Sequence, residues 1–347
     1  MRMIRVGVIG YGLSAKVFHL PFICASKDYK LTAICSRQPQ PLAEINTEVS
    51  ACQPQVFKQP LALITSKLVD LVVITAPNDV HFHLAKDCLQ NNLHVVVEKP
   101  MTVTFAEAEQ LAVLATKHKV MLSVFHNRRW DGDFLTVKKL LAKKSLGKVK
   151  VFHSHFDRFR PKVSSKWKEQ KGSGNGVWYD LGPHLIDQAL ILFGLPLSLT
   201  ANCLTLREKA SASDYFNVQL HYKDLQVILS SSPFVVGHTP RFNIQGTEGQ
   251  FVKQGKDPQE QQLRDGVLPS LTGFGYEKNS QYGLLSKNSH DEIVKTDGGN
   301  YGYFYQQLAL TLTEGLPPPV PISDALLVMK ILELAIKSSE QARTITL

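Results

Sequence analysis

Up to about residue 126 the chain alternates short apolar runs with helix-length amphipathic ones. The runs at residues 4–9, 31–35, 71–75, 94–97 and 121–125 are apolar at nearly every position, as strands buried on both faces require. Between the last two, Thr104-Phe105-Ala106-Glu107 forms a capping box that opens a helix running from Phe105 to about residue 118. Strand–helix alternation of this kind predicts a doubly wound, parallel α/β sheet covered on both sides.

The second half changes character. Residues 150–156 alternate as a strand, and 215–222 with 225–229, joined at Lys223-Asp224, read as a hairpin. Residues 241–245 and 250–253 form another around Gly246-Thr247-Glu248-Gly249. A helix over 177–193 is expected to cover one face of the resulting large, mostly antiparallel open sheet. The polar stretch 255–298 reads as a surface loop, partly mobile. A last helix begins near Ser323, with Ala325, Val328, Met329, Leu332 and Ile336 on one stripe. The expected organisation is an α/β dinucleotide-binding domain at 1–126 and an α+β domain at 127–347, its last helix packing back on the first.

With 347 residues, 44% hydrophobic and 20% charged, the composition is that of an ordinary globular protein of two domains. No apolar run reaches the length of a membrane span, and Gly10 and Gly12 interrupt the only apolar N-terminal stretch, so a cytoplasmic location is expected. Five scattered cysteines, Cys24, Cys35, Cys52, Cys88 and Cys203, fit reduced thiols. The net charge of +9 raises a nucleic-acid reading. Its densest source, Lys138, Lys139, Lys143, Lys144, Lys148 and Lys150, is better explained as a solvated helix face ending in cations, and no nucleic-acid-binding signature accompanies it.

The first run leads straight into Gly10-Tyr11-Gly12-Leu13-Ser14-Ala15, the G-x-G-x-x-G/A fingerprint in its strand–turn–helix context. Gly10 permits the turn, Gly12 lets backbone approach a pyrophosphate, and Ala15 allows close helix–strand packing. The helix start offers N–H groups to the phosphates. The second strand ends Ile34-Cys35-Ser36-Arg37, without the acid that binds the ribose 2′-hydroxyl of NAD. Ser36 and Arg37 suit a 2′-phosphate instead, which favours NADP, with NAD possible.

The fourth run ends Val97-Glu98-Lys99-Pro100. Ligands bind outside the carboxyl ends of such strands, so Lys99 falls where a nicotinamide and a substrate would meet. Pro100 restrains the backbone of Lys99 and is a candidate for the cis form. A surface lysine is the bland alternative. In Gly176-Val177-Trp178-Tyr179-Asp180-Leu181-Gly182-Pro183-His184, Asp180 and His184 stand four apart on one helix face. A histidine is the natural base for an alcohol proton, and a carboxylate can hold the same hydroxyl; a surface ion pair is the alternative. His153-x-His155 gives a weaker metal reading.

Taken together these residues resemble the glucose–fructose oxidoreductase/inositol dehydrogenase (Gfo/Idh/MocA) family over essentially the whole chain. The resemblance rests on Gly10-Tyr11-Gly12, Pro77-Asn78…His81, Glu98-Lys99-Pro100 and Asp180…His184. Tyr11-Gly12-Leu13-Ser14…Phe18-His19, residues 123–131 and Tyr179–His184 look closest to its NADP-dependent scyllo-inositol dehydrogenase-like branch. It implies that Lys99, Asp180 and His184 are catalytic. His184 would accept the proton, Lys99 would bind the reacting oxygen, and Asp180 would hold the substrate hydroxyl. Leu13, Ser14, Pro77, Asn78, His81, Glu98, Lys99 and Asn127 would join the glycines, Ala15, Ser36 and Arg37 along the cofactor. It further implies a small sugar or polyol substrate and association into dimers or tetramers through the open face of the C-terminal sheet; the residues themselves point to no membrane or nucleic-acid partner and no metal. The rivals are a non-catalytic NADP-sensing regulator of the same fold and a reductase of another small carbonyl compound.

Overall fold

The computed structural model describes residues 3–37, 52–164, 167–288 and 290–347. The chain divides into two compact units. The first takes in the described part of Met1–Asn127 with Gln259–Phe274 and Asn300–Leu326; the second holds the described parts of Arg128–Pro258 and Gly275–Gly299 with Leu327–Leu347.

In the first unit, strands β1 (Ile4–Ile9), β2 (Tyr29–Cys35), β3 (Gln55–Phe57), β4 (Leu71–Ile74), β5 (His94–Val97) and β6 (Leu122–Val124) form one sheet in the order β3-β2-β1-β4-β5-β6. Every neighbouring pair is parallel. The order reverses between β1 and β4, and a doubly wound sheet binds ligands at the carboxyl ends of its strands beside such a reversal. Val6, Val8, Val95, Val96, Val97 and all of β4 are fully buried. Each such side chain contributes about 1.5–3 kcal/mol over its exposed state, which is why these runs are apolar without alternation.

Helices α1 (Leu20–Ala25), α2 (Pro60–Thr65), α3 (His81–Gln90) and α4 (Phe105–His118) belong to this layer. The α4 capping box forms as expected: Glu107 N–H donates to Thr104 Oγ1 at 3.3 Å, and Thr104 N–H donates to Glu107 Oε2 at 3.1 Å. Two later helices, Gln259–Arg264 and Gly302–Glu314, complete the unit. Tyr305 stacks on Phe22 with ring centroids 6.3 Å apart, and Tyr29 donates its hydroxyl to the Tyr305 carbonyl at 2.7 Å.

The second unit is built on strands β7 (Val149–His155), β8 (Ser198–Leu204), β9 (Tyr215–His221), β10 (Gln226–Ser231), β11 (Phe242–Gly246), β12 (Gln250–Lys253), β13 (Gly283–Lys287), β14 (His290–Val294) and β15 (Ile345–Thr346). They form one sheet in the order β14-β13-β12-β11-β7-β10-β9-β8-β15. Only β7 and β10 pair in parallel; the other neighbours are antiparallel. Helices α5 (Gly132–Ala142) and α6 (Val177–Phe193) pack in this unit. The α6 stripe Trp178, Leu181, Leu185 and Ala189 is buried, with Trp178 edge-on to Phe216 of β9 at 4.9 Å.

The stretch 255–298 departs from its expected loop. It carries the helix Gln259–Arg264 and strands β13 and β14, which lengthen the sheet. The cause is the position of β14, an edge strand whose sequence His-Asp-Glu-Ile-Val is exposed at its first four residues. Charge on an edge blunts pairing with other chains and erases the alternation that marks a half-buried strand. The lysine-rich segment behaves as expected: Lys138, Lys143 and Lys144 are exposed, and Lys139 pairs with Asp297 at 3.1 Å. All five cysteines are free, and burial pushes the Cys203 thiol up to about 12. Among the described residues no helix is long and apolar enough to cross a membrane.

Candidate functional site

The glycine turn lies at the carboxyl end of β1. Gly10 has φ +99°, and a Cβ there would meet the Thr75 carbonyl carbon and Oγ1 at 2.9 Å. Only glycine fits such a site, because the backbone is left-handed and the neighbouring strand end is in contact. Gly12 is different: a Cβ there would find nothing within 4 Å. That open space is the cradle a pyrophosphate needs, so the residues present fit a dinucleotide. Thr75 binds the turn from the end of β4, its hydroxyl donating to the Gly10 carbonyl at 2.9 Å. Ala15 is fully buried, while Leu13 is 54% exposed.

From Leu13 the chain is helical through to Ala25, with a π turn over Ala15–His19. Single π turns recur at functional positions, and this one ends on His19, whose side chain is fully buried. His19 Nε2 donates to Glu98 Oε1 at 3.0 Å, and its Nδ1 shares a 2.6 Å hydrogen bond with the Tyr305 hydroxyl. Ser14 donates its hydroxyl to the same Glu98 oxygen. Glu98 Oε2 accepts the Lys99 N–H at 3.1 Å. Burial alone would push the Glu98 carboxyl up; the His19 hydrogen bond, the charges of His19 and Lys99 and the Ser14 hydroxyl outweigh it and bring the carboxyl down to about 2. The fingerprint loop and the Glu98-Lys99-Pro100 turn are therefore one connected polar cluster, and the Lys99–Pro100 bond is cis.

The second strand end lies beside the same turn. Gly10 N–H donates to the Cys35 carbonyl at 3.0 Å, and Ser36 N–H donates to the Phe57 carbonyl of β3 at 3.0 Å. Ser36 is 6% exposed and Arg37 stands in solvent. Pro77 is exposed and precedes a short 3-10 turn, Asn78–Val80, with Asn78 buried. His81 starts α3 and is completely buried: Nδ1 lies 2.9 Å from the Pro100 carbonyl oxygen and Nε2 2.9 Å from that of Ala76. Burial lowers its pKa, although both carbonyls and the charge of Glu98 act in the other direction. Asn127, just beyond β6, is buried at the end of the first segment of this unit.

Asp180 and His184 belong to the second unit and stand in the first two turns of α6. The helix is anchored at several points. Gly176, at φ +93°, precedes it with its Cβ position 2.5 Å from Ser213 Oγ. Trp178 donates its indole N–H to the Leu332 carbonyl at 2.9 Å, and a Cβ on Gly182 would lie 2.6 Å from the Trp178 ring. Further along, Arg129 makes a fork to Asp187, with Nε–Oδ2 at 2.9 Å and Nη2–Oδ1 at 2.6 Å. Gln188 donates to the Arg128 carbonyl and accepts from Arg241 at 2.7 Å. Asp180 accepts from Lys168 Nζ at 2.7 Å, and His184 is 6% exposed. Lys168 falls in a 3-10 turn that the sequence reading passed over. Lys166 and the Trp167 side chain, residues of the kind that could meet a polyol through hydrogen bonds and ring packing, lie outside the described residues.

The sequence reading also left His19 and Tyr305 without a role. His19 stood in the quoted Phe18-His19 segment, but its partner Glu98 is 79 residues away, and only the strand order brings the two together.

A doubly wound sheet, a glycine cradle at its switch point and an acid–lysine turn at the adjoining strand end define a nicotinamide-dinucleotide oxidoreductase. Comparison with known proteins agrees. Residues 4–126 match the family described as "Oxidoreductase family, NAD-binding Rossmann fold", and residues 138–347 match its "C-terminal alpha/beta domain". The chain belongs to the Gfo/Idh/MocA oxidoreductase family. It is 43% identical to the uncharacterized oxidoreductase YdgJ of Escherichia coli, covering 99% of both chains. It is 37% identical to the scyllo-inositol 2-dehydrogenase (NADP(+)) IolW of Bacillus subtilis, covering 99% of this chain and 96% of that one. The solved structure of the yvaA oxidoreductase of Bacillus subtilis superposes with a TM-score of 0.93 at 37% identity, over 99% and 98% of the two chains.

Proposed function

We propose that the protein transfers a hydride between NADP and a CH–OH group of a small sugar or polyol, an inositol being the first candidate. The observation that supports this best is the link from the fingerprint loop through Ser14 and Glu98 to Lys99, which joins the residues suited to a dinucleotide to an amine suited to a reacting oxygen. A bound nicotinamide supplies the hydride acceptor or donor. In this reading Gly10, Gly12, Leu13, Ser14 and Ala15 shape the pyrophosphate end, with Asn78 and Asn127 further along. Ser36 and Arg37 take the 2′-phosphate through charge-assisted hydrogen bonds. Lys99 donates to the substrate oxygen and stabilises its developing negative charge. His184 removes the hydroxyl proton and returns it in the reverse direction. Asp180 holds a substrate hydroxyl. The resemblance to IolW supports both the cofactor and the substrate class. We further propose a cytoplasmic homo-oligomer assembled through the face of the nine-stranded sheet opposite α6.

The test mixes purified protein with NADP⁺ or NAD⁺ and scyllo-inositol, myo-inositol, glucose or xylose, and follows nicotinamide reduction by absorbance. Turnover with NADP⁺ and an inositol is expected, and Lys99→Ala should abolish it. Arg37→Ala should raise the KM for NADP⁺ about 10- to 100-fold, the weight of a hydrogen bond to a charged group, and leave that for NAD⁺ unchanged. An Arg37→Ala enzyme with an unaltered NADP⁺ KM refutes the cofactor assignment; full turnover by Lys99→Ala refutes the catalytic one.

A further inference from the structure

The turn that carries Lys99 ends on a buried histidine at either side. We propose that His19 and His81 are positioning residues that hold the Glu98-Lys99-Pro100 turn from its two ends and thereby set the reach of the Lys99 ammonium. This rests on the reading of Lys99 given above.

A lysine side chain is long and flexible, so its backbone anchor largely decides where the ammonium can go. Here the anchor is tied twice. On the N-terminal side, Glu98 Oε1 takes hydrogen bonds from His19 Nε2 and Ser14 Oγ, and Oε2 closes onto the Lys99 N–H. On the C-terminal side, the Pro100 carbonyl faces His81 Nδ1 at 2.9 Å. Each histidine is braced by a further contact. His19 Nδ1 meets the Tyr305 hydroxyl, and its ring packs on Phe125 at 4.3 Å. His81 Nε2 faces the Ala76 carbonyl, next to Thr75, which holds the Gly10 carbonyl.

The two imidazoles stand in different hydrogen-bond settings. The Tyr305 hydroxyl can donate to Nδ1 of a neutral His19 ring or accept from it when the ring carries a charge, so both partners of His19 are satisfied in either form. His81 faces two carbonyl oxygens, which only accept. A neutral ring donates to one of them and an imidazolium to both. The glycine turn and the lysine turn are thus joined by two separate hydrogen-bonded paths, Ser14–Glu98 and Gly10–Thr75–Ala76–His81–Pro100. Seating a dinucleotide on the one turn would fix the other.

The test uses the full chain with His19→Leu, His81→Leu, His19→Gln and His81→Gln, beside Lys99→Ala. Three quantities are read: NADPH affinity by fluorescence, kcat, and the pH dependence of Lys99 acylation by trace acetic anhydride, resolved by mass spectrometry. Both leucine variants should lose kcat about 10- to 100-fold, the scale of a displacement near 1 Å, and weaken NADPH binding by a smaller factor. Lys99 should acylate faster in both, with a displaced pH midpoint. The glutamine variants, each keeping one N–H donor, should recover part of kcat and of the acylation profile. Leucine variants with the wild-type acylation profile and kcat overturn the proposal and leave the two residues as core histidines. If a leucine variant fails to fold, its glutamine counterpart decides, and a wild-type profile and kcat there with a lowered melting temperature again overturn it. Turnover by Lys99→Ala refutes the reading of Lys99 instead, and the acylation profile then still reports on the two histidines.

Discussion

Replacing Glu98 by glutamine keeps the shape of the side chain and removes its charge. The wild-type carboxyl falls from an ordinary 4.5 to about 2, because His19, Lys99 and Ser14 outweigh the effect of burial. A carboxyl whose folded pKa is depressed stabilises the fold wherever it is ionised in both states. Its contribution is therefore complete above about pH 4.5 and is lost as the pH falls through about 2. The difference between the two values is worth about 3 kcal/mol at neutral pH, and roughly half of that is left at pH 3. Glu98→Gln should therefore be about 3 kcal/mol less stable than wild type at pH 7, with the gap about halved at pH 3. Urea unfolding followed by far-ultraviolet circular dichroism measures both gaps, and the difference between the two proteins cancels the titration of groups that do not interact with Glu98. A His19→Gln/Glu98→Gln cycle should show coupling between the two sites. A gap that stays constant between pH 7 and pH 3, or a variant as stable as wild type at pH 7, would refute the claim that a buried carboxylate is held ionised by these partners.

Gly12→Val should leave the melting temperature unchanged, since its Cβ position meets nothing within 4 Å; NADPH binding should fall at least about 100-fold as the side chain fills the phosphate space, and fluorescence titration checks both halves. Asp187→Ala removes the carboxylate forked to the Arg129 guanidinium, a pair whose side chains are 11% and 3% exposed. A loss of about 3–5 kcal/mol is expected, read by tryptophan fluorescence in urea. Thr104→Ala breaks the capping box of α4 and should cost about 1 kcal/mol without changing kcat; a larger fall in kcat than in stability would contradict a purely local role.

The strands and helices with strong periodicity were legible from the residues themselves. Helix α6 runs over 177–193 as expected, and α4 begins and ends with its capping box and basic last turn. The parallel sheet followed from runs with no polar face, since burial on both sides leaves no alternation. The helix Gly302–Glu314 was passed over although Tyr301, Phe304, Tyr305 and Leu308 lie on one stripe at helical spacing and are buried. Strand β14 was hidden for the opposite reason, because a charged edge strand has no inward face to betray it. The fingerprint glycines announced themselves by their local chain geometry. The polar cluster beneath Lys99 could not, because Ser14, His19, Glu98 and Tyr305 meet through strand order and a helix almost three hundred residues downstream of the glycine turn, and nothing local in the sequence encodes that pairing.

The first unit is woven from three stretches of chain, and the last, Asn300–Leu326, brings Tyr305 against Phe22, Tyr29 and His19. On the ribosome, the β1–β6 sheet is synthesised long before the residue that braces His19 exists. Until that residue emerges, His19 Nδ1 lacks its tyrosine partner and the rings of Phe22 and Tyr29 lack the ring they pack on. For the engineer the same weave means that the nucleotide-binding half cannot be lifted out as a cassette ending at residue 127. A graft into another scaffold, or a split reporter built on this chain, has to carry the Tyr305 helix as a separate piece, and that piece then becomes a natural handle for switching the other on.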